Sequence, residues 1–541
     1  MVKQKGSPKR PAVVARLFVT PSNVVHKAIL QGTCPLDPFG ENGYLLYICV
    51  VDYFVMRNSI VISLALLSFV SCAKSVSDGT VEEIDAVSYS IVGERDESDG
   101  LAFVKTCVSE LYKGLTVSPQ GFFQGTPNGM DGFSEGDDDI ASQLGLPSEE
   151  KLISALLGGA ESSPAVKSVI SDLNFKIVKY EYETVDQYEC PIVLSSVLAV
   201  PYKTFYSKDI DSPTSIVIDC HSTITSNDEA PTNNDPYSFL WAVKGSLVVC
   251  PDYLGFGCSL NFDQQYLCNE IGARQVLDAV RAAVKLLKEE YYVELSKDYY
   301  TAIIGYGQGG TMAAAVAREI ERMSPEETEQ FDFRLRRTFC GGAPFDLRST
   351  ACWYLDVQYP RQPSLVPLTL KGLMSAYEYL FDGISYEDYF SEEYLSSGID
   401  DLFSSPKSQD IDGIDLLIDE KIETYGLRGI VSAELYDDYE RYRNGDAYGR
   451  LLRPLLTALD RNTLFSDGWI PSHPIVVFHV EGDDVVPFLN YEYAVSKLMA
   501  FGCDFPRILG NSSAPVLSHK AAEYAFYITL LSAASVDGFD E

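Results

Sequence analysis

Basic residues are scarce in this chain of 541 residues. It has 42 Lys and Arg against 77 Asp and Glu, which gives a formal net charge of −35. A surface of that charge repels nucleic acid and anionic membrane faces, so the composition argues against electrostatic binding to either. Apolar residues are plentiful at 46%. The chain can therefore bury a large core, which predicts a globular protein rather than a disordered one.

Patterns that bind metals are also lacking. Twelve cysteines and five histidines occur, but none of them form a C-x-x-C or a Cys/His pattern at zinc spacing. Three of the cysteines lie at or before residue 72, and the other nine are an odd number, so at least one stays free. Two pairs could form disulfides if the chain is exported: Cys258 with Cys268, and Cys340 with Cys352. We predict no cofactor and no metal site from this pattern.

Apolar runs long enough to cross a bilayer are absent from the N-terminal part, which carries only a short one. The run Ile60–Val70 follows Arg57 and ends just before Cys72, a layout typical of a signal peptide. A cysteine at this place resembles a bacterial lipobox, although Phe69 stands where Leu is usual. The resemblance implies a signal peptide over 56–72 and a lipid anchor on Cys72. The protein would then be exported and lipid-anchored to a bacterial membrane, at the outer membrane or cell surface.

The first 55 residues differ in charge from the rest. They carry six Lys or Arg and three Asp or Glu, a net of +3. Two interpretations compete: residues 1–55 are a genuine extension, or translation begins at Met56. We favour the second, because a signal peptide must lie near the start of the chain to be recognised.

The remainder divides into four predicted segments. Residues 73–170 form an acidic segment with short helical patches and no catalytic pattern. From residue 171, alternating and β-branched residues predict first a hairpin and then strands that alternate with helices. The predicted segments after the first are a core over 171–346, a helical cap over 347–468 and a second part of the core over 469–541. Continuous apolar strands between helices indicate a mostly parallel sheet covered on both faces, and hence an α/β fold.

One stretch of the predicted cap, "SQDIDGIDLLIDE", half resembles a calcium loop. Asp410, Asp412, Gly413 and Asp419 fit the pattern. Its first position is Ser408, and Asp415 occupies the place of the usual apolar residue. These departures argue against calcium.

The stretch "YYTAIIGYGQGGTMAAAVAREIE" lacks a side chain where one is expected. It predicts a strand, a sharp turn and a helix, the setting in which hydrolases hold a nucleophile. Gly305 and Gly309 supply the small residues that let strand and helix approach. The apex is Gly307, so the string is G-x-G-x-G instead of G-x-S-x-G. Neither Thr311, inside the helix, nor Cys220, at a strand end, replaces the missing hydroxyl.

Four further strings complete a resemblance to the α/β-hydrolase superfamily, and within it to the secreted lipase/esterase branch. The string "IDCHSTITS" resembles the region after the third strand, and "CPDYLGFG" resembles a Pro-Asp-Tyr-x-Gly-x-Gly run of that branch. The string "GGAPFDL" resembles the strand end after the helix that follows Gly307, and "FHVEGDDVVP" resembles the element that supplies the acid. The resemblance covers roughly 175–350 and 465–541. It implies the chain order nucleophile, acid, histidine.

Carried over to this sequence, the resemblance implies a triad of Gly307, Asp483 and His519, with Asp484 as the alternative acid. The oxyanion donors would be the backbone N–H of Gln308 and one near Ser222 or Thr223. Ser222 stands where the family has a glycine, and Val480 stands where the family has another glycine. His221 and His479 are predicted to be structural histidines at strand ends.

Three hypotheses follow for function. The first is a lipase or carboxylic-ester hydrolase whose serine position holds Gly307, with activity absent or weak. The second is a non-catalytic protein that binds an acyl ligand or a partner in the old pocket. The third is a peptidase of the same fold. The expected partner is an acyl ester or lipid-like small molecule, with membrane contact only through the anchor and no nucleic acid.

Overall fold

The structure is a computed structural model, and it describes residues 88–97, 99–117, 140–157, 173–201, 212–357, 359–424, 426–500 and 517–534. The predicted extension, signal peptide and lipid anchor at Cys72 lie outside these residues. Among the residues that are described, no helix combines the length and the apolar character needed to cross a membrane.

Eight strands form one sheet in the order β1-β2-β3-β5-β4-β6-β7-β8. Their bounds are β1 Tyr89–Glu97, β2 Phe175–Val185, β3 Pro191–Pro201, β4 Ser215–Cys220, β5 Leu247–Pro251, β6 Tyr300–Tyr306, β7 Leu335–Gly341 and β8 Ile475–Phe478. The first three strands and the β3–β5 pair are antiparallel, and the pairs from β5 to β8 are parallel. This confirms the predicted hairpin and the mostly parallel α/β sheet.

Fifteen α-helices are present in the described part of the chain. They are α1 Gly100–Val117, α2 Ile140–Gln143, α3 Glu149–Leu156, α4 Phe239–Val243, α5 Asn269–Glu290, α6 Gln308–Arg322, α7 Pro325–Gln330, α8 Leu347–Asp356, α9 Leu365–Ala376, α10 Glu392–Ser396, α11 Ile411–Lys421, α12 Ala433–Arg443, α13 Leu452–Asn462, α14 Leu489–Ala500 and α15 His519–Ala534. Short 3-10 helices occupy Asn227–Glu229, Gly257–Ser259, Glu378–Leu380, Tyr386–Tyr389, Asp400–Phe403 and Leu427–Gly429.

Helices cover the sheet on both faces. Helices α5, α6 and α14 pack on one face, and α1, α3, α4 and α15 pack on the other. Strand β4, with the sequence "SIVIDC", is buried along its whole length. Its central run Ile216–Ile218 does not alternate, because helices cover both faces of a central strand. The buried polar residues Ser215 and Asp219 flank that run.

The N-terminal segment contributes to this core in a way that its sequence did not predict. Strand β1 pairs antiparallel with β2 and carries a bulge between Ile91 and Gly93. Helix α1 packs against α15, with Gly114 lying close under Tyr524. The boundary predicted at residue 170 stays a prediction, but the described residues before it extend the sheet.

Helices α8–α13 form the predicted helical cap, and they have an apolar core of their own. That core is built mainly of Leu, Ile, Tyr and Phe side chains, and it also includes Val485 and Val486 from the loop after β8. The cap therefore packs directly over the carboxyl end of the sheet, where α/β proteins place their ligands.

Cys258, Cys268, Cys340 and Cys352 are all free thiols, so neither of the two disulfides that the sequence allowed is present. Cys268 instead lies in the cap–core contact, with its sulfur 3.5 Å from the carbonyl of Gly372.

The half-matched calcium stretch is a helix. Asp410 caps the N-terminus of α11, and its Oδ1 accepts a hydrogen bond from Gly413 N at 2.8 Å. Asp415 is buried and accepts a hydrogen bond from Ser364 N at 3.0 Å. Within the described residues, no cluster of three or more His, Cys, Asp or Glu side chains is arranged to hold a metal ion.

Candidate active site

The turn between β6 and α6 has the geometry of a nucleophile elbow. Gly307 lies between the last residue of the strand and the first of the helix, with φ 56° and ψ −122°. Its N–H donates to Gly341 O at 2.9 Å, which ties the turn to the neighbouring strand. Residues that carry a side chain rarely adopt this backbone conformation, whereas glycine adopts it without steric cost.

The flanking glycines are required by close backbone approach. A Cβ on Gly309 would lie 1.9 Å from the carbonyl oxygen of Cys220, and a Cβ on Gly305 would lie 2.1 Å from the carbonyl oxygen of Gly309. Both contacts are with main chain, which cannot rotate away. Gly305 and Gly309 therefore allow α6 to leave the sheet at this angle, as the elbow pattern predicts.

Asp483 and His519 meet beside this turn although 36 positions separate them. Nδ1 of His519 donates to Oδ2 of Asp483 at 2.7 Å. Oδ1 of Asp483 accepts hydrogen bonds from Val485 N at 3.0 Å and Val486 N at 2.7 Å. The carboxylate is thus fixed by its own loop, and it orients the imidazole so that Nε2 stays available.

Asp484, the alternative acid, has another contact. Its Oδ1 accepts a hydrogen bond from the backbone N of His519 at 3.0 Å, while Oδ2 is buried without a partner in the described structure. Asp484 therefore holds the first turn of α15, and the geometry favours Asp483 as the partner of the imidazole.

The imidazole lies in a negative environment. Burial lowers the pKa of His519, but the charge and hydrogen bond of Asp483, with smaller contributions from Glu523 and Asp484, raise it above its ordinary value overall. Burial raises the pKa of Asp483, and the charge and hydrogen bond of His519 bring it below the ordinary value. A charged carboxylate beside a basic imidazole is the arrangement that general-base chemistry needs.

Gly307 faces this imidazole. A Cβ built on Gly307 would lie 3.1 Å from Nε2 of His519 and 3.7 Å from Cε1, with no other contact within 4 Å apart from its chain neighbours. A hydroxyl carried by that Cβ would be within hydrogen-bond reach of Nε2. The three predicted triad positions are thus brought together, and their catalytic role stays a prediction.

The predicted oxyanion residues divide into two groups. Gln308 is the first residue of α6 and Thr223 follows β4, and both line the cavity described below. The first N–H groups of a helix have no partner within it, so Gln308 N is a suitable donor. Ser222 has a different contact: its hydroxyl donates to Oε1 of Glu523 at 2.6 Å.

Glu523 was not identified from the sequence. It lies one turn after His519 on α15, and its Oε2 accepts from Lys520 Nζ at 2.9 Å. Burial raises the pKa of Glu523, but Lys520 and the Ser222 hydroxyl bring it below its ordinary value. Glu523 therefore joins the loop after β4 to the helix that carries the histidine. Its spacing of four residues from His519 is the signal that could have identified it.

His221 and His479, the two histidines predicted to be structural, are held by contacts at the strand ends. His221 stacks on Tyr253 at 3.9 Å and approaches the carbonyls of Ser222 and Asp252. Burial lowers its pKa to about 4, so it is neutral. His479 is buried and donates from Nε2 to Val486 O at 3.0 Å.

Thr311 and Cys220, the two residues considered as substitutes for the missing nucleophile, also lie in structural positions. The Thr311 hydroxyl donates to Pro344 O at 3.4 Å, and the Cys220 thiol is buried in the core of the sheet. Neither residue is among those that line the cavity.

A cavity of about 840 Å³, counted to its open mouth, lies between the elbow and the cap. Gly307, Gln308 and His519 are at its core side, and α8, α9, α12 and α13 supply its cap side. Most lining side chains are apolar: Leu267, Leu347, Leu355, Leu365, Val366, Leu370, Leu435, Leu455, Leu459, Val485 and Val486. Among the described residues that line it, none is Asp, Glu, Lys or Arg. Such a wall suits an apolar ligand.

Comparison with known proteins agrees with this architecture. A family model described as "Secretory lipase" matches residues 239–385, which include the elbow and the start of the cap. No curated protein matches the chain.

Solved structures of the same fold include a ligand-bound form of the rice cell wall degrading esterase LipA from Xanthomonas oryzae. It is 20% identical, with a TM-score of 0.54, and the match covers 70% of this chain and 92% of LipA. A structure from Legionella pneumophila is 18% identical, with a TM-score of 0.55, and the match covers 73% of this chain and 96% of that one. At these identities the similarity shows the fold alone, which is the α/β-hydrolase fold.

Proposed function

We propose that this chain is an exported lipase or carboxylic-ester hydrolase homologue whose catalytic machinery lacks its nucleophile. The observation that carries the proposal is the position of Gly307, whose absent Cβ would lie 3.1 Å from Nε2 of a histidine paired with Asp483. In such a triad the histidine accepts the proton of the attacking hydroxyl. Without that hydroxyl no acyl-enzyme forms, and hydrolysis is limited to slow attack by water activated by His519.

Export and the lipid anchor on Cys72 belong to the same proposal. The secretory lipase match supports export, and the apolar run before Cys72 supports a signal peptide. The substrate class is an acyl ester or another lipid-like molecule, because the cavity wall is apolar and uncharged.

A second function is a non-catalytic acyl-ligand binder. The intact cavity favours it, since loss of one side chain at the elbow removes the chemistry and leaves the binding wall. The peptidase alternative is less well supported, because none of the described residues that line the cavity is a carboxylate able to hold a peptide amine.

The test is hydrolysis of a short-chain chromogenic ester by the native chain, Gly307→Ser and Gly307→Ala. The serine variant should gain on the order of 10³-fold or more in rate, because it restores the nucleophile to an otherwise complete triad. The alanine variant adds the Cβ without the hydroxyl and should stay at the native rate.

Three outcomes are informative. Turnover by the serine variant alone supports a disarmed esterase. Ester binding without turnover in any variant favours the acyl-ligand binder. Equal activity in all three would show that Gly307 is not the nucleophile position.

A further inference from the structure

His519 is the residue of the cavity wall that can carry a positive charge near neutral pH. Among the described residues that line the cavity it is the only one of this kind. Its side chain is 15% exposed, and Nδ1 is the ring nitrogen that pairs with Asp483. Nε2 has no hydrogen-bond partner in the described structure, and it keeps accessible surface, unlike the buried Oδ2 of Asp484. A ligand in the cavity can therefore reach Nε2.

Gly307 leaves room beside this nitrogen. A Cβ at Gly307 would meet the His519 ring and no other group within 4 Å apart from its chain neighbours. Because the side chain is absent, a ligand oxygen can lie against the main chain of Gly307 and still be within hydrogen-bond reach of Nε2. A serine at this place would itself occupy that room.

A second donor lies next to the same room. Gln308 is the first residue of α6 and lines the cavity. Its N–H has no partner within the helix, and a helix N-terminus attracts negative charge. The cavity thus combines an apolar wall with two donors at one end, and one of these donors is a cation when protonated.

We propose that the cavity holds free fatty acids, with the carboxylate between Nε2–H of His519 and the N–H of Gln308 and the alkyl chain along the apolar wall. The inference rests on the proposed function, since the missing nucleophile makes the room for the carboxylate. It names the ligand class as the acid instead of the ester. An ester offers one strong acceptor, its carbonyl oxygen, whereas a carboxylate offers two equivalent oxygens and a charge.

The charges around the site permit this arrangement. The imidazolium offsets Asp483, and Lys520 offsets Glu523 at 2.9 Å. The pKa of His519 lies above its ordinary value, mainly through the charge of Asp483 acting against burial. The ring is therefore protonated at about pH 6, where an ordinary carboxyl group is already ionised.

The other groups that face the imidazole do not replace it as the proton donor. His479 is neutral, because burial lowers its pKa. Burial also raises the pKa of the tyrosines in the site, which stay uncharged. The titratable groups around the ring are Asp483, Asp484 and His479 from the loop after β8, Lys520 and Glu523 from α15, Tyr306 from β6, and Tyr266 and Tyr354 from the cavity wall.

The test compares decanoic acid with methyl decanoate by equilibrium binding to the full native chain, which lacks the nucleophile and leaves both probes unchanged. At about pH 6 the acid should bind about tenfold tighter than the ester, because its hydrogen bonds are charge-assisted. Above the pKa of His519 the affinity for the acid should fall about tenfold per pH unit, since a neutral imidazole no longer donates from Nε2. The affinity for the ester should change little.

A direct reading comes from NMR titration of His519. Saturating decanoate should raise the pKa of His519 further, because a bound carboxylate stabilises the charged ring. Methyl decanoate should leave that pKa unchanged.

Two variants address the two sides of the room. His519→Gln cannot carry the charge and should bind acid and ester alike. Gly307→Ala places a methyl group 3.1 Å from Nε2 and should lower the affinity for the acid. The matched control is Lys520→Gln, which removes a positive charge from the next residue, outside the cavity wall and 66% exposed, and should keep the preference for the acid.

The outcomes separate this inference from the proposed function. If acid and ester bind alike to the native chain, the inference is overturned and the apolar pocket stands. A preference that persists in His519→Gln, or that does not weaken as the pH rises, places the carboxylate elsewhere and also overturns it. If neither probe binds, the inference fails, while ester hydrolysis by Gly307→Ser still decides the proposed function. Should His519→Gln not fold, the pH series and the His519 titration on the native chain decide the matter.

Discussion

Two buried aspartates, one in the core and one in the cap, have pKa values shifted in opposite directions. Asp483, on the core side, receives hydrogen bonds from His519 and from two backbone N–H groups, and its pKa lies below the ordinary value. Asp415, in the cap, receives one from Ser364 N, its Oδ2 has no partner in the described structure, and burial raises its pKa to about 7.

The difference shows what decides the charge of a buried carboxyl group. Burial raises the pKa in both cases. Only at Asp483 do a histidine and converging hydrogen-bond donors outweigh this effect of burial and bring the pKa below its ordinary value. The surroundings of Asp483 therefore stabilise a carboxylate, and the surroundings of Asp415 destabilise one.

The largest expected effect is on the core side. In the Gly307→Ser background, Asp483→Asn should lower kcat about 10⁴-fold, because the amide no longer holds the histidine in the correct tautomer. The control is Asp484→Asn, which keeps an oxygen acceptor for His519 N and should cost less than about tenfold. Steady-state ester hydrolysis measures both. Equal losses would contradict the assignment of Asp483.

The next largest effect is on stability and concerns the glycines of the turn between β6 and α6. Gly309→Ala should lower the free energy of unfolding by about 3 kcal/mol, since the new methyl group would collide with the carbonyl of Cys220. Gly307→Ala should cost only about 1 kcal/mol of backbone strain, because its Cβ meets only the His519 ring. Chemical denaturation of both variants tests the order, and a reversed order would refute the close-approach argument.

On the cap side, Asp415→Asn should stabilise the protein at high pH. The stability contribution of Asp415 is complete below its unfolded pKa of about 3.9 and is lost as the pH rises through its folded pKa of about 7. At pH values above that, the asparagine variant should gain up to about 4 kcal/mol in free energy of unfolding, since the folded and unfolded pKa values of Asp415 differ by about three units and one unit corresponds to about 1.4 kcal/mol.

Below about pH 4 the two proteins should be alike in stability. Asparagine keeps an oxygen for Ser364 N, so the comparison isolates the charge. Parallel stability curves for the two proteins across this pH range would show that Asp415 does not titrate there.

The smallest effect concerns Glu523. Glu523→Gln keeps an acceptor for the Ser222 hydroxyl and removes a negative charge that raises the pKa of His519. The pKa of His519 should fall, as measured by NMR titration of the native chain. In the serine variant the rising limb of the pH–rate profile should move to lower pH, because the base must be neutral to act. An unchanged His519 titration would leave Glu523 a purely structural role.

Much of the fold could be predicted from local pattern. The apolar run Ile216–Ile218 of β4, the helical spacing of α5 and the glycines around residue 307 each predict their element because each obeys a short-range rule. Strand β1 was missed, since "YSIVGERDE" is half polar and lies at the edge of the sheet, where one side stays solvated.

The half-matched calcium stretch is a different case, because its departures from the pattern already argued against calcium. In the structure Asp410 is a helix cap and Asp415 is buried in the cap. Residues that could bind a cation were used for local hydrogen bonds, which a linear pattern does not distinguish.

For the candidate site, the sequence by itself determined the absence of a hydroxyl at residue 307 and the chain order of elbow, acid and histidine. It also determined that the elbow would turn sharply, because its glycines permit a close backbone approach. Only the tertiary structure decided which of two adjacent aspartates pairs with His519 and that Glu523 ties the loop after β4 to the histidine helix. Those contacts join residues far apart in the chain, and long-range packing, which no local pattern encodes, sets their geometry.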